Sequence, residues 1–177
     1  ILLNGRARVL TSDSRGRVGR NEEASEFGAV CMQQNGTGSE ECLTVNVWAH
    51  AGTNAPRHVM VWIHGGGFID GSGSLAQYEA SKLATDTDAV VVTINYRLGA
   101  FGFLASDALV AESPNKVAGN YGILDQVFAL QWVKDNIAKF GGDPGRVMIF
   151  GESAGGASVC ALLAAPLAQA IPFFSVG

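Results

Sequence analysis

The stretch RVMIFGESAGGASV, residues 146–159, joins a short apolar run to a run of small residues. The first run predicts a buried strand, and the second predicts a helix. Gly151, Ser153 and Gly155 form a G-x-S-x-G pentad at the junction, where small residues allow a tight turn from strand to helix. Such a turn exposes the Ser153 hydroxyl at a helix N-terminus, beside the backbone N–H of Ala154, which can bind an oxyanion. Ser153 is therefore a candidate nucleophile.

A second glycine-rich segment, WIHGGGF at residues 62–68, also follows an apolar run. Because glycines have no side chains, two of their peptide N–H groups can turn towards one site and bind an oxyanion there. Consecutive glycines also occur in flexible turns. The serine pentad later in the same chain favours the oxyanion-binding interpretation.

Apolar runs alternate with helical patterns along the chain. Continuous runs such as HVMVWIH and AVVVTINY are typical of strands that are buried on both faces of a parallel sheet. The alternation predicts an α/β fold with a mostly parallel sheet and crossover helices. The predicted strands cover 42–49, 58–64, 89–96 and 146–150, the predicted helices cover 75–86, 121–140 and 153–165, and residues 1–30 are assigned to loops or short strands.

The chain has 177 residues, of which 47% are apolar and 16% are charged, with a net charge of −4. This composition is typical of one globular domain over residues 1–177. No basic cluster supports nucleic-acid binding. Prolines interrupt the uncharged segment 153–177, so we expect no membrane span. We expect neither a metal nor a cofactor.

The three cysteines bear on whether the protein folds in an oxidising compartment. Cys31 and Cys42 flank a polar stretch, and Cys160 lies in an apolar run, where we expect a small buried side chain. A near pair plus one buried thiol fits a single disulfide in a secreted protein; three unrelated reduced cysteines are the alternative. The triplet that starts at Asn35 matches the acceptor sequence for N-glycosylation, which makes Asn35 a candidate site in the secretory pathway.

Five segments with distinctive motifs follow one another over about residues 26–160: EFGAVCMQQ (26–34), SEECLTVNVW (39–48), VMVWIHGGGF (59–68), TINYRLGAFGFL (93–104) and GNYGILDQVFALQWVKDNIAKFGGDPGRVMIFGESAGG (119–156). As a set, they resemble the type-B carboxylesterase/lipase family, the esterase group that includes the cholinesterases, within the α/β-hydrolase superfamily. The resemblance implies an α/β-hydrolase domain that is incomplete at both ends, carrying the N-terminal part of the sheet.

The resemblance also implies roles for individual residues. Ser153 would be the nucleophile, and Gly66, Gly67 and Ala154 would form the oxyanion hole. Cys31 would pair with Cys42 in a disulfide.

Two structural ion pairs follow from the same resemblance. Arg97 would pair with Asp125, and Glu40 would pair with an arginine near the start of the chain, for which Arg8 is the candidate. Buried charges are tolerated only when they are paired.

The resemblance leaves the catalytic acid and base unaccounted for, because this fold orders its triad as Ser, then Asp or Glu, then His. His50, His58 and His64 all precede Ser153. His64 ends a predicted strand, so we expect it to hydrogen-bond the backbone rather than take a proton from the serine. We therefore expect the sequence to be the N-terminal third of a family member, inactive alone, with an apolar tail at 171–177 that has no sheet to join.

These features favour a serine carboxylic-ester hydrolase that acts on a small-molecule ester. The alternative is a non-catalytic, cholinesterase-like adhesion or binding protein, a class that usually loses the nucleophile, whereas Ser153 is present here. A third interpretation, a complete protein with another function, needs a partner to cover the sheet, and nothing in the sequence points to one.

Overall fold

A computed structural model describes residues 8–11, 26–49, 56–114, 116–169, 171 and 173–175. The strands are β1 (Arg8–Thr11), β2 (Thr44–Trp48), β3 (Arg57–Ile63), β4 (Val90–Ile94), β5 (Gly142–Gly151) and β6 (Phe173–Ser175). The helices are α1 (Ser81–Thr87), α2 (Gly99–Phe103), α3 (Asp107–Glu112), α4 (Tyr121–Asn136) and α5 (Ala154–Ala164). Short 3-10 turns cover Ala76–Tyr78, Ile137–Phe140 and Pro166–Ala168.

The strands form one sheet in the order β1-β2-β4-β3-β5-β6. Strand β3 lies near the centre and pairs in parallel with β4 and β5, while β1 and β2 run antiparallel at one edge. Every residue of β4 is buried, which suits a parallel strand covered by helices on both faces. Helix α4 lies between β4 and β5 in the chain, and α5 follows β5 directly. The predicted mostly parallel sheet with crossover helices is therefore present.

Two predictions about the C-terminal segment were wrong. Cys160 is exposed, because α5 turns its other face towards the sheet and buries Ser158, Val159 and Leu162 there. Part of the apolar tail does join the sheet, since β6 pairs in parallel with β5. Both segments are uncharged and mostly apolar, so their composition showed neither which face of α5 is buried nor that the tail pairs with β5.

Helix α4 also differs from its predicted form. It ends at Asn136 and continues as a 3-10 turn up to Gly141, whose φ of 80° closes the segment. Leu130 and Val133 are buried, and two polar residues, Asp125 and Gln126, share the buried face. Gln126 Nε2 donates a 3.0 Å hydrogen bond to Ser158 Oγ on α5, which joins the two helices.

The ion pair between Arg97 and Asp125 is present and ties the chain after β4 to α4. Arg97 Nη2 donates to Asp125 Oδ1 over 2.7 Å and Arg97 Nε donates to Oδ2 over 2.8 Å. The backbone N–H of Arg97 donates to the same Oδ2 over 3.0 Å. The Asp125 side chain is only 6% exposed, so its charge depends on these three bonds. The second expected pair, Arg8 with Glu40, involves a side chain outside those that the structure describes and stays a prediction.

We predict that Asp125→Ala lowers the free energy of unfolding by about 2–4 kcal/mol. The loss should lie below that of a fully buried pair, because the Arg97 side chain is 37% exposed. The matched control is Asp86→Ala. Asp86 pairs with Lys82 on the exposed surface of α1, and its removal should cost less than about 1 kcal/mol. Equal losses for the two variants in urea unfolding would contradict this assignment.

Candidate active site

Ser153 lies in a strained turn between β5 and α5, the serine turn (151–155). Its φ is 57° and its ψ is −120°, a conformation that costs a non-glycine residue of order 1–3 kcal/mol. Two bonds close the turn: the Gly155 N–H donates to Glu152 O over 2.8 Å, and the Ala157 N–H donates to Ser153 O over 3.0 Å. The Ser153 side chain is exposed at the N-terminus of the helix, as a nucleophile must be.

The glycines of the serine turn allow it to pack directly on the end of β3. A Cβ on Gly155 would overlap the carbonyl oxygen of Ile63, and a Cβ on Gly151 would lie 2.7 Å from the same atom. Any side chain at either position would push α5 away from the sheet. These contacts maintain the strained conformation of Ser153.

The chain after β3 forms the glycine loop (65–71), which contacts the serine turn. A Cβ on Gly65 would lie 3.2 Å from Ser153 Cβ and 2.8 Å from Glu152 O. Gly66 and Gly67 have φ values of 106° and 60°, which L side chains rarely adopt. The fold thus brings the two glycine-rich motifs of the sequence together.

Carbonyl hydrogen bonds set the direction of the Gly66 and Gly67 N–H groups. Gly65 O accepts from His64 Nδ1 over 2.7 Å, and Gly66 O accepts from the N–H groups of Ile69 and Asp70 over 3.0 and 3.1 Å. In a trans peptide the N–H points opposite to the C=O, so each bond turns the following N–H away from those partners.

The third candidate donor is the N–H of Ala154. Ala154 is the first residue of α5, and the first N–H groups of a helix have no acceptor within it. The positive end of the helix dipole also favours an anion at this position.

His64 supports the glycine loop through the contacts of its ring and its carbonyl oxygen. Its ring is buried and stacks on Tyr96 with 4.4 Å between ring centroids, and Tyr96 Oη donates to His64 O over 2.7 Å. Burial lowers the pKa of His64, so the ring is neutral near pH 7. A carbonyl can only accept, so the Nδ1 that contacts Gly65 O carries the proton. The expectation that His64 bonds the backbone is confirmed.

Of the other two histidines, the structure describes one. His58 lies at the exposed surface, where Nε2 is 3.3 Å from Arg146 Nη1. His50 lies outside the residues that the structure describes.

Sequence reasoning missed the role of Asn95, a buried residue directly after β4. Its Oδ1 accepts from the Gly73 N–H over 2.9 Å, and its Nδ2 donates to Cys42 O and Ala29 O over 3.0 and 3.1 Å. The side chain therefore links the segment after the glycine loop to the region around the disulfide. The signal in the sequence was the position of Asn95, a polar residue directly after an apolar run that predicts a buried strand.

The described residues contain neither a metal-ligand cluster nor a membrane-spanning helix. No three His, Cys, Asp or Glu side chains in that part of the chain lie close enough together to hold a metal ion. None of the helices described is long and apolar enough to cross a bilayer.

Comparison with known proteins identifies the family of the chain. The family model described as "Carboxylesterase family" matches residues 18–174. The chain belongs to the carboxylesterase family. This membership confirms the resemblance carried by the five sequence segments.

Curated members of the carboxylesterase family include proteins that are similar to this chain over most of its length. The fumonisin B1 esterase of Sphingopyxis macrogoltabida is 51% identical over 132 residues, covering 74% of this chain and 24% of its own. The para-nitrobenzyl esterase of Bacillus subtilis is 45% identical over 159 residues, covering 84% and 32%. The acetylcholinesterase of Electrophorus electricus is 52% identical over 141 residues, covering 78% and 21%. The chain thus spans a third or less of each of these relatives.

Solved structures of the carboxylesterase family share the fold. A carboxylesterase of Geobacillus stearothermophilus superposes with a TM-score of 0.79 at 49% identity, covering 87% of this chain and 33% of that chain. A structure titled "PNB esterase" superposes with a TM-score of 0.78 at 47% identity, covering 86% and 32%. The chain therefore has the α/β-hydrolase fold of these esterases, in part.

Proposed function

We propose that this chain supplies the nucleophile and the oxyanion hole of a serine carboxylic-ester hydrolase. The observation that carries the proposal is the strained, exposed Ser153 packed against the glycine loop. A strained backbone held in place by glycine contacts is typical of functional sites, because the surrounding structure must compensate for its cost. Family membership adds that similar chains include proteins named as esterases.

In the proposed reaction, Ser153 Oγ attacks the carbonyl carbon of a carboxylic ester. The carbonyl oxygen becomes an oxyanion, which accepts hydrogen bonds from the N–H groups of Gly66, Gly67 and Ala154. The tetrahedral intermediate expels the alcohol and leaves an acyl-enzyme on Ser153. Water then attacks the acyl carbon. The second tetrahedral intermediate again carries an oxyanion, and its collapse releases the carboxylic acid and frees Ser153.

Ser153 also needs a general base, because a protonated serine hydroxyl is a weak nucleophile. The two described histidines, His58 and His64, bond other groups. We propose that the base and its orienting acid belong to a part of the protein that corresponds to the remaining two-thirds of its relatives. This assignment agrees with the order Ser, acid, His of the fold.

A non-catalytic adhesion or binding protein of the same fold is the alternative function. The geometry of Ser153 argues against it, since its positive φ costs stability and a binding surface gains nothing from the strain.

We predict that a fluorophosphonate probe modifies Ser153 in the full-length protein. The same protein should hydrolyse a p-nitrophenyl ester of a short carboxylic acid. Ser153→Ala should abolish the adduct and lower turnover by at least about 10⁴-fold, because losing a triad member leaves only binding and the oxyanion hole. Peptide mapping locates the adduct, and initial rates measure turnover.

Two controls accompany the test. Ser106→Ala removes another exposed serine, the N-cap of α3, and should change neither adduct nor turnover. The 177-residue polypeptide alone should hydrolyse no ester beyond its own Ser153→Ala variant, because its three histidines precede the serine. Absence of an adduct in the folded full-length protein would favour the binding alternative.

We further propose that the protein matures in the secretory pathway and carries a glycan on Asn35. The Cys31–Cys42 disulfide, with Cα atoms 4.8 Å apart, supports an oxidising compartment. Asn35 is exposed, and its Oδ1 accepts from Thr37 N and Thr37 Oγ1 over 3.0 and 2.7 Å. Both bonds use the side-chain oxygen and neither uses the side-chain nitrogen, which is the atom that is glycosylated.

Expression in a secreting eukaryotic host tests the glycan. Treatment with an N-glycan amidase should lower the apparent mass by one glycan and convert Asn35 to aspartate in peptide mapping. Thr37→Ala, which removes the acceptor triplet, should have the same apparent mass as the treated wild-type protein. An unmodified Asn35 in the secreted wild type would contradict the proposal.

A further inference from the structure

The segment closed by the disulfide, the disulfide loop (31–42), is hydrogen-bonded to the glycine loop. Gln33 Nε2 donates to Gly71 O over 3.0 Å, and Gln33 Oε1 accepts from the Gly71 N–H over 2.7 Å. The side-chain amide thus pairs with both backbone groups of one residue, as a neighbouring strand would. Beside it, the backbone N–H of Gln34 donates to Ile69 O over 2.9 Å.

The disulfide loop holds the Gln33 side chain in this orientation. Gln33 Nε2 also donates to Cys31 O over 2.6 Å, so both amide hydrogens have acceptors and its oxygen has a donor. Cys31 is buried and covalently joined to Cys42. The Gln33 amide is therefore held by a loop that the disulfide cross-links, and not by a free surface loop.

Gly71, the residue that Gln33 binds, packs against the hydrogen bond from His64 Nδ1 to Gly65 O. That bond orients the Gly66 N–H, the first proposed oxyanion donor. A Cβ on Gly71 would lie 2.6 Å from Gly65 O and 2.6 Å from His64 Nδ1, so its backbone packs on that hydrogen bond. The φ of Gly71 is 103°, a conformation that needs an external restraint because glycine has many alternatives.

The Gly67 N–H, the second proposed oxyanion donor, also depends on the hydrogen bonds from the disulfide loop. The N–H groups of Ile69 and Asp70 bind Gly66 O and thereby direct the Gly67 N–H. Ile69 is bonded to the disulfide loop through its carbonyl, and Gly71 is bonded through both its backbone groups. A shift of this segment would move Gly66 O and rotate the peptide that carries the donor.

We propose that Gln33 is a positioning residue for the oxyanion hole, which holds the glycine loop in its donor geometry by pairing with the backbone of Gly71. The inference rests on the proposed esterase function and deepens it. Gln33 contacts no reacting atom in this scheme. It acts through Gly71 and the carbonyls of Gly65 and Gly66.

The test is Gln33→Met in the full-length protein, since methionine keeps the length of the side chain and removes its hydrogen bonds. We expect kcat to fall about 10- to 100-fold with KM changed less than about threefold, because the oxyanion forms after the ester has bound. The affinity for a trifluoromethyl ketone, which forms an oxyanion on Ser153, should fall by the same factor as kcat/KM. Rates are expressed per Ser153 that a fluorophosphonate modifies at completion, which excludes misfolded protein.

Gln131→Met is the matched control. It removes a glutamine amide that donates to Asp135 on α4, away from the glycine loop, and should leave kcat and inhibitor affinity unchanged. Gln33→Glu is a second variant. It keeps an acceptor for the Gly71 N–H but sets a carboxylate against two carbonyl oxygens, so its loss of kcat should equal or exceed that of methionine.

A folded Gln33→Met protein with wild-type kcat and inhibitor affinity would overturn the inference. So would a change in melting temperature without the parallel loss of kcat/KM and inhibitor affinity. If neither variant folds, Gln33 has a purely structural role and the inference also falls. An inactive, unlabelled wild type would instead reject the proposed function itself.

Discussion

The contact between the backbone of Gly155 and the carbonyl oxygen of Ile63 determines the position of the candidate site. A side chain at Gly155 would overlap that oxygen, so the first turn of α5 lies directly on the end of β3. Ser153 precedes Gly155 by two positions, and the glycine loop begins soon after Ile63. One close approach thus places Ser153, the proposed nucleophile, beside the loop that carries two of the proposed oxyanion donors. It also explains why Ser153 keeps a strained backbone conformation.

Around this contact, hydrogen bonds to the carbonyls of Gly65 and Gly66 orient the N–H groups that we propose as oxyanion donors. His64 fixes the peptide between Gly65 and Gly66, and the turn at Ile69 and Asp70 fixes the next one. Such donors need little reorganisation when charge develops on a bound ester, which is the property that makes an oxyanion hole effective. The disulfide loop and the buried Asn95 extend the same network outwards.

Much of the fold, and the strand-to-helix turn that carries Ser153, could be predicted from the sequence. The apolar runs of β3 and β4 are long and continuous, and the junction before Ser153 combines a strand, glycines and a helix, so local chemistry indicates the structure. The Cys31–Cys42 disulfide and the pair of Arg97 with Asp125 came from family resemblance and are present in the structure. These features depend on short segments with strong patterns.

What the sequence did not reveal depends on tertiary contacts. The short helices α2 and α3 have too few residues to show a period, and α5 is apolar on both faces, so the exposure of Cys160 was not apparent. Gln33 is a polar loop residue in the sequence, and its partner Gly71 lies 38 positions away. Only the folded chain shows that the two meet.

The most direct test of the central contact is the rate at which a fluorophosphonate modifies Ser153 in two alanine variants of adjacent glycines. A Cβ on Gly156 would lie 3.5 Å from Gly151 O, an ordinary contact, whereas a Cβ on Gly155 would overlap Ile63 O. Gly156→Ala should keep the wild-type rate, and the protein should be as stable or up to about 1 kcal/mol more stable. Gly155→Ala should slow modification by at least about 10²-fold, because the serine and the oxyanion donors would no longer be held together. Equal rates in the two variants would contradict the claim that this close approach assembles the site.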